Sequence, residues 1–363
     1  MKEFRSWRVP ALLLAAVLAL GACGGGPEPA SGALAFTDAL GRTVEFDELP
    51  QRLVVTGRGS PMVVDALYLF PVGRERLVAL DARTQDVAPF LQLLDPDWEA
   101  KARLDRDAGA EQIAPTAPDL VIAKSSMAET LGGPLEAVGI AAFYVDFETP
   151  EHYRRDLTAL GELLGDPQRA EQVVAYYQDR LDRISSATAG LDEGQRPSVL
   201  VLQHSEEGGS IAFKVAPAVW LQTTMVELAG GDPVWVAEAG AGGWTVVGFE
   251  QIAAWNPDQI FVISYARDAE EVVEDLRGDT RWRALAAVSS GSIYAFPGDF
   301  VSWDQPDPRW ILGLTWLFTK VQPGLAGGID IRAEVAGFFG EMYGMDPGLI
   351  EAEVVPRLYG SLP

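Results

Sequence analysis

Three cations stand just beyond short apolar runs: Arg58 after "RLVVTG", Arg83 after "RLVALD" and Lys124 after "DLVIA". A guanidinium or ammonium at the end of a strand suits an anionic ligand, and "GRGSP" (57 to 61) adds the Ser60 hydroxyl and the open amides of a helix start. The chain has only five lysines, which makes one at a strand end conspicuous. Ser125 and Tyr265 follow apolar runs in the same way, and Trp244 lies in the glycine-rich "AGAGGWTVV". Aromatic rings on such loops pack against flat ligands. The densest stretch is "FPGDFVSWDQPDPRW" (296 to 310). With Asp307 and Pro308 as cap and first residue of a helix, Trp303, Asp304 and Arg309 are expected to face the ligand. Plainer roles stay open to each: an exposed turn arginine, a surface lysine, a buried structural tryptophan.

Direct metal chemistry has little support. The two histidines, His152 and His204, do not have metal-site spacing, so a metal already wrapped in a chelator, or an oxyanion, fits better and no resident cofactor is expected. Catalysis fares no better. His204, Ser205 and Glu206 are adjacent in sequence and so point apart, and neither a G-x-S-x-G elbow nor an H-E-x-x-H helix is present. A surface chelatase working through His204 and a tethered sensor are the rival readings.

The elements that must hold these residues are visible as alternation. "FTDALGRTVEF" (36 to 46) reads as a hairpin, and "SPMVVDALYLF" (60 to 70) as a helix with Ser60 as cap and Pro61 at its first position. "RLVVTG", "RLVALD", "DLVIA" and "AAFYVDF" are apolar on both faces, as strands of a covered parallel sheet are. From Asp166 and Pro167 one helix runs to Gly190, after which strand and helix patterns resume with "QHSEEGGSIAF" (203 to 213) as a loop. The expected fold class is α/β: two Rossmann-like lobes joined by one long helix, with the cleft between them.

The chain also repeats itself. "EQIAPTAPDLVIA" begins at Glu111 and "EQIAAWNPDQIFVI" at Glu250, 139 residues later, and the same offset pairs Ile113 with Ile252, Pro118 with Pro257 and Asp119 with Asp258. Each copy is a short helix opened by Glu, ended near a proline and followed by a strand. The offset pairs Ser125 with Ser264 and Ser126 with Tyr265, so residues after both strands should look into one cleft, where open α/β sheets bind ligands.

The amino end is a leader by pattern. Lys2, Arg5 and Arg8 precede the apolar run Val9 to Ala22, which is shorter than the roughly 20 residues that span a bilayer. Leu20-Gly21-Ala22-Cys23 resembles a bacterial lipobox, and Cys23 is the sole cysteine, expected to carry the lipid. "GGGPEPASG" then reads as a tether. The expected division is 1–22 leader, 23–33 tether, 34–165 first lobe, 166–190 linking helix and 191–363 second lobe. A net charge of -24 makes nucleic acid and anionic lipid poor partners.

The lipobox, the opening "FTDALGRTVEFDELPQRLVVTG", the paired E-Q-I-A…P-D units and the linking helix together resemble the solute-binding lipoproteins of ABC importers for iron-siderophore, haem and cobalamin. That resemblance implies a monomer outside the cytoplasm, anchored to the membrane, which passes a small molecule to a permease dimer driven by its ATPase subunits. It implies that Glu111 and Glu250 dock on the permease, although Glu is also favoured in any first helical turn. It ranks an iron(III)-siderophore first among ligands, with molybdate or tungstate, haem and cobalamin behind.

Overall fold

The computed structural model describes residues 33–85, 87–207 and 210–363, and residues 34–363 form one compact unit. The leader, nearly all of the tether and Cys23 lie outside the described residues. Leu34–Thr37 (β1) and Thr43–Phe46 (β2) pair antiparallel as the expected hairpin, turned at Gly41 with φ 73°. The Asp38 carboxylate closes the turn by accepting from the Leu40 and Arg42 amides, each at 3.0 Å.

Five parallel strands follow: Leu53–Val55 (β3), Leu77–Asp81 (β4), Ala102–Leu104 (β5), Leu120–Lys124 (β6) and Ala141–Val145 (β7). They lie in the order β5-β4-β3-β6-β7. Every residue of β3 and β6 is buried, which explains the unbroken apolar runs. The chain leaves β3 for one side of the sheet and returns to β6 on the other. The crevice of such a sheet opens at that reversal, beyond the carboxyl ends of β3 and β6.

The linking helix is Pro167–Thr188, 22 residues or roughly 33 Å. Asp166 caps it by accepting from the Arg169 amide at 3.2 Å. It buries Val173, Tyr177 and Ile184 along one stripe and leaves its polar face outside.

The second sheet is mixed. Ser198–Glu207 (β8), Ser210–Val215 (β9), Asp232–Pro233 (β10), Thr245–Val247 (β11), Gln259–Ser264 (β12) and Ile293–Ala295 (β13) have the main order β11-β9-β8-β12-β13, with β10 beside the start of β8. β8 and β9 form an antiparallel hairpin, so the stretch expected as a loop after "SVLVLQH" is strand instead. Alternating inward and outward residues hid the pairing behind polar side chains.

The sequence echo is an echo in three dimensions. Gly109 and Gly248 occupy the same cap position before the two short helices, and Ala117 and Asn256, 139 residues apart, both turn the chain left-handed. Asp119 accepts from the Gln51 and Arg52 amides at 2.8 and 2.9 Å, tying the start of β6 to that of β3. Asp258 does the same for β12 and β8, accepting from the Ser198 amide at 2.8 Å. The repeated aspartate therefore sets strand register at the edge away from the crevice.

Two helix starts differ from expectation. Ser60 is the first helical residue, not the cap; that place falls to Gly59 at φ 76°, and the Ser60 hydroxyl is buried without a partner. The later helix is Trp310–Val321, so Asp307 and Pro308 precede its cap residue Arg309, with Asp307 accepting from the Arg309 amide at 2.7 Å.

The lobes share a core. Phe90 of the first lobe packs against Phe300, Phe339 and Tyr343 of the second at centroid distances of 4.8–5.6 Å. Tyr177 of the linking helix stacks on Trp310 and donates to the Pro308 carbonyl at 2.6 Å.

Candidate functional site

A cavity of about 440 Å³ opens where the carboxyl ends of β6 and β12 face each other. The first lobe contributes Arg58, Gly59, Met62, Lys124, Ser126 and Glu148; the second contributes Trp220, Leu221, Gln222, Trp244, Tyr265, Gln305 and Pro306. Ser126 and Tyr265 are partners in the 139-residue echo, so the duplication supplies one residue from each lobe to the same wall.

Local backbone explains the first-lobe side. Gly57 and Gly59 both have positive φ, at 92° and 76°, and a Cβ on Gly59 would come within 2.9 Å of the Lys124 side chain. Glycine therefore lets the loop after β3 lie against the lysine stem. Lys124 is buried; its ammonium pairs with Glu148 at 2.6 Å and donates to the Asp146 carbonyl. Arg58 differs. It is exposed at the rim, and among the described residues its guanidinium has no hydrogen bond or ion pair. Two cations against one carboxylate leave the cavity positive inside a chain of net charge -24.

The second-lobe side is largely aromatic. Trp220 and Trp244 meet edge to face at 5.7 Å, and Tyr265 is 46 % exposed. Beneath them Asp304, fully buried, accepts from Tyr265 Oη at 2.6 Å, Gln222 Nε2 at 3.1 Å and Ser302 Oγ at 2.6 Å. Burial raises the Asp304 pKa, and its three donors work against that rise. Burial of the hydroxyl end and the Asp304 carboxylate push the Tyr265 phenol well above its ordinary value.

Of the residues expected from sequence, Arg58, Lys124, Trp244 and Tyr265 come together in this cavity. Ser125 instead donates to Asp146, while its neighbour Ser126 faces the cavity. Arg83 turns away and pairs with Asp81 at 2.9 Å and Asp107 at 2.6 Å. Ser60 is buried in its helix.

Trp303, Asp304 and Arg309 are all fully buried and none of them lines the cavity; Asp304 alone touches its wall, through Gln222 and Tyr265. Trp303 donates to Asp299 at 2.8 Å, and its carbonyl approaches Gly313 so closely that a Cβ there would lie 2.3 Å away. Arg309 bridges the lobes, pairing with Asp65 of the first and, at 2.7 Å, with Asp299 of the second, while Tyr343 donates to Asp65 at 2.7 Å. Burial opposes the Arg309 charge, but the Asp299 and Asp65 carboxylates outweigh it. The proline-rich stretch does reach the cavity, through Gln305 and Pro306.

Trp220, Gln222 and Glu148 were missed in sequence. Glu148 follows the strand run "AAFYVDF", the signal that found Lys124. Trp220 and Gln222 follow β9, whose sequence has the look of a loop, so no local signal marks them as strand-end residues. His204 is buried in β8 with its pKa lowered by that burial, and Ser205, its neighbour, lies on the opposite face of the strand. Among the described residues no group of three or more His, Cys, Asp or Glu could hold a metal.

Glu111 and Glu250 are exposed, each in the first turn of its helix, with its carboxylate folded toward the cap glycine. Each helix leads back to the start of the next parallel strand, so its amino end lies toward the carboxyl edge of its sheet.

A profile described as "Periplasmic binding protein" matches residues 74–300. A search of curated proteins gives no match. Among solved structures, a periplasmic solute-binding protein from Veillonella parvula is 22% identical, covering 89% of this chain and 97% of its own at TM-score 0.72. The molybdate-bound periplasmic protein MolA of Haemophilus influenzae is 17% identical, with coverage of 86% and 98% and TM-score 0.68. CeuE of Helicobacter pylori, with Ni(II) bound, is 18% identical, with coverage of 88% and 99% and TM-score 0.68.

Proposed function

The chain belongs to the periplasmic binding protein family, and from that premise we propose that it captures an iron(III)-siderophore-type chelate outside the cytoplasm and delivers it to an ABC permease. Members of this family are solute-binding components of ABC importers, not enzymes, and work outside the cytoplasm. Among the described residues no helix is long and apolar enough to cross a membrane.

The cavity itself carries the ligand reading: about 440 Å³ with an aromatic wall on one side and the unpaired Arg58 on the other. A bare tetrahedral oxyanion would leave most of it empty, whereas drug-sized ligands occupy cavities of about 300–1,000 Å³. A chelate of flat aromatic arms with negative oxygens can use the rings and Arg58 together. Glu111 and Glu250, exposed at symmetric positions, are the docking carboxylates for arginine pockets on the permease. Cys23 carries the lipid anchor, and the protein acts as a monomer.

Titration of residues 24–363 with an iron(III) tris-catecholate, a neutral ferric hydroxamate, haem and molybdate, followed by tryptophan fluorescence, tests the ligand. The catecholate is expected to quench saturably, through Trp220 and Trp244. Saturable binding of molybdate with no response to any ferric chelate would refute the reading.

A further inference from the structure

The groups left free on the two sides of the cavity differ in hydrogen-bonding sense. A carboxylate accepts and does not donate, so the buried Asp304 consumes the Tyr265 hydroxyl proton at 2.6 Å and one Gln222 amide N–H at 3.1 Å, both on the same oxygen. The Tyr265 hydroxyl is spent on this bond. Gln222, with its nitrogen turned to Asp304, has its carbonyl oxygen on the other side, and among the described residues that oxygen has no partner. Ser302 donates to the second Asp304 oxygen at 2.6 Å, so the carboxylate is held from both ends. Across the cavity Lys124 and Glu148 are spent on each other, while the Arg58 guanidinium keeps five N–H donors and has no protein acceptor.

We propose that Asp304, without touching the ligand, makes Gln222 an acceptor face in the second-lobe wall, so that the preferred ligand is bipolar: anionic oxygens toward Arg58 and N–H donors toward Gln222. This rests on the chelate reading above and narrows it to chelators whose backbone carries amide or amine hydrogens. Asp304 is a positioning residue. Its amide counterpart would present an N–H₂ as well as an oxygen, and Gln222 would then be free to turn its own N–H₂ into the cavity.

The test compares an amide-linked iron(III) tris-catecholate with its N-methylated counterpart, of equal charge, on the parent protein and on Asp304→Asn and Gln222→Leu. The parent should bind the N–H form about tenfold more tightly, the scale of one or two hydrogen bonds. That ratio should fall toward one in Asp304→Asn and Gln222→Leu, a change that mere loss of stability would not produce. Equal binding of both forms by the parent overturns the inference and leaves the chelate reading standing. A ratio kept intact in Asp304→Asn removes Asp304 from the role; if that variant does not fold, Gln222→Leu decides the acceptor face. Failure of both forms to bind the parent overturns the chelate reading as well.

Discussion

Replacing Arg309 with methionine separates two roles that its sequence context left open. The guanidinium is fully buried between Asp65 and Asp299, with its carbon 4.3 Å from the Phe90 ring centre. Methionine fills similar space but leaves the carboxylates without their shared cation. Stranding a buried charge in this way costs about 3–5 kcal/mol. Lost contact with the Phe90 face adds to it, on the order of 0.5–2 kcal/mol. A loss of about 4 kcal/mol is a large part of the roughly 5–15 kcal/mol that holds a protein folded. At about 2 °C per kcal/mol for a chain of this size, Tm should fall by roughly 8 °C. Calorimetry on residues 24–363 measures that fall, and fluorescence titration of the folded variant should show nearly unchanged ligand affinity. Combining Arg309→Met with Asp65→Asn should recover part of the loss, because the second change removes one stranded charge. An unchanged Tm together with a collapse of ligand affinity would refute the structural role and return Arg309 to the binding site.

The same buried cluster makes stability depend on pH. Burial raises the Asp307 pKa well above its ordinary value, so the folded state holds a proton there that the unfolded state releases above about pH 4. Stability from this group is full at low pH and is lost as pH rises through its folded pKa; denaturant midpoints should therefore fall as pH is raised above about 4, and Asp307→Asn should flatten that slope. An identical slope in the variant would refute the assignment. Reversing both Glu111 and Glu250 to lysine should abolish uptake in cells and leave affinity in solution intact, since both side chains are exposed and outside the cavity; normal uptake would remove them from docking. Cys23→Ser should shift the protein from membrane to soluble fraction, and persistent attachment would refute the anchor. Arg58→Gln should weaken binding of an anionic ferric catecholate severalfold and reduce its salt sensitivity, whereas a neutral ferric hydroxamate should be little affected.

The repeat of Glu111 and Glu250, the apolar strands and the capped linking helix were legible because each depends on residues close together in the chain. Local periodicity and capping set such elements, and once strands alternate with helices, residues just past the strands must gather at one edge. Arg58, Lys124 and Tyr265 were found by that rule, and Glu148 obeys it too. The hairpin of β8 and β9 escaped it because strand pairing in a polar stretch comes from a partner strand, not from the run itself. Trp303, Asp304 and Arg309 show the larger limit. Their residue types, near a stiff proline-rich loop, suited a ligand, but Arg309 meets an aspartate 244 positions away, and that encounter exists only after the lobes close over a common core. Whether a charge faces a solute or a buried counter-charge is decided by which distant side chains arrive beside it, and only the tertiary structure contains that decision.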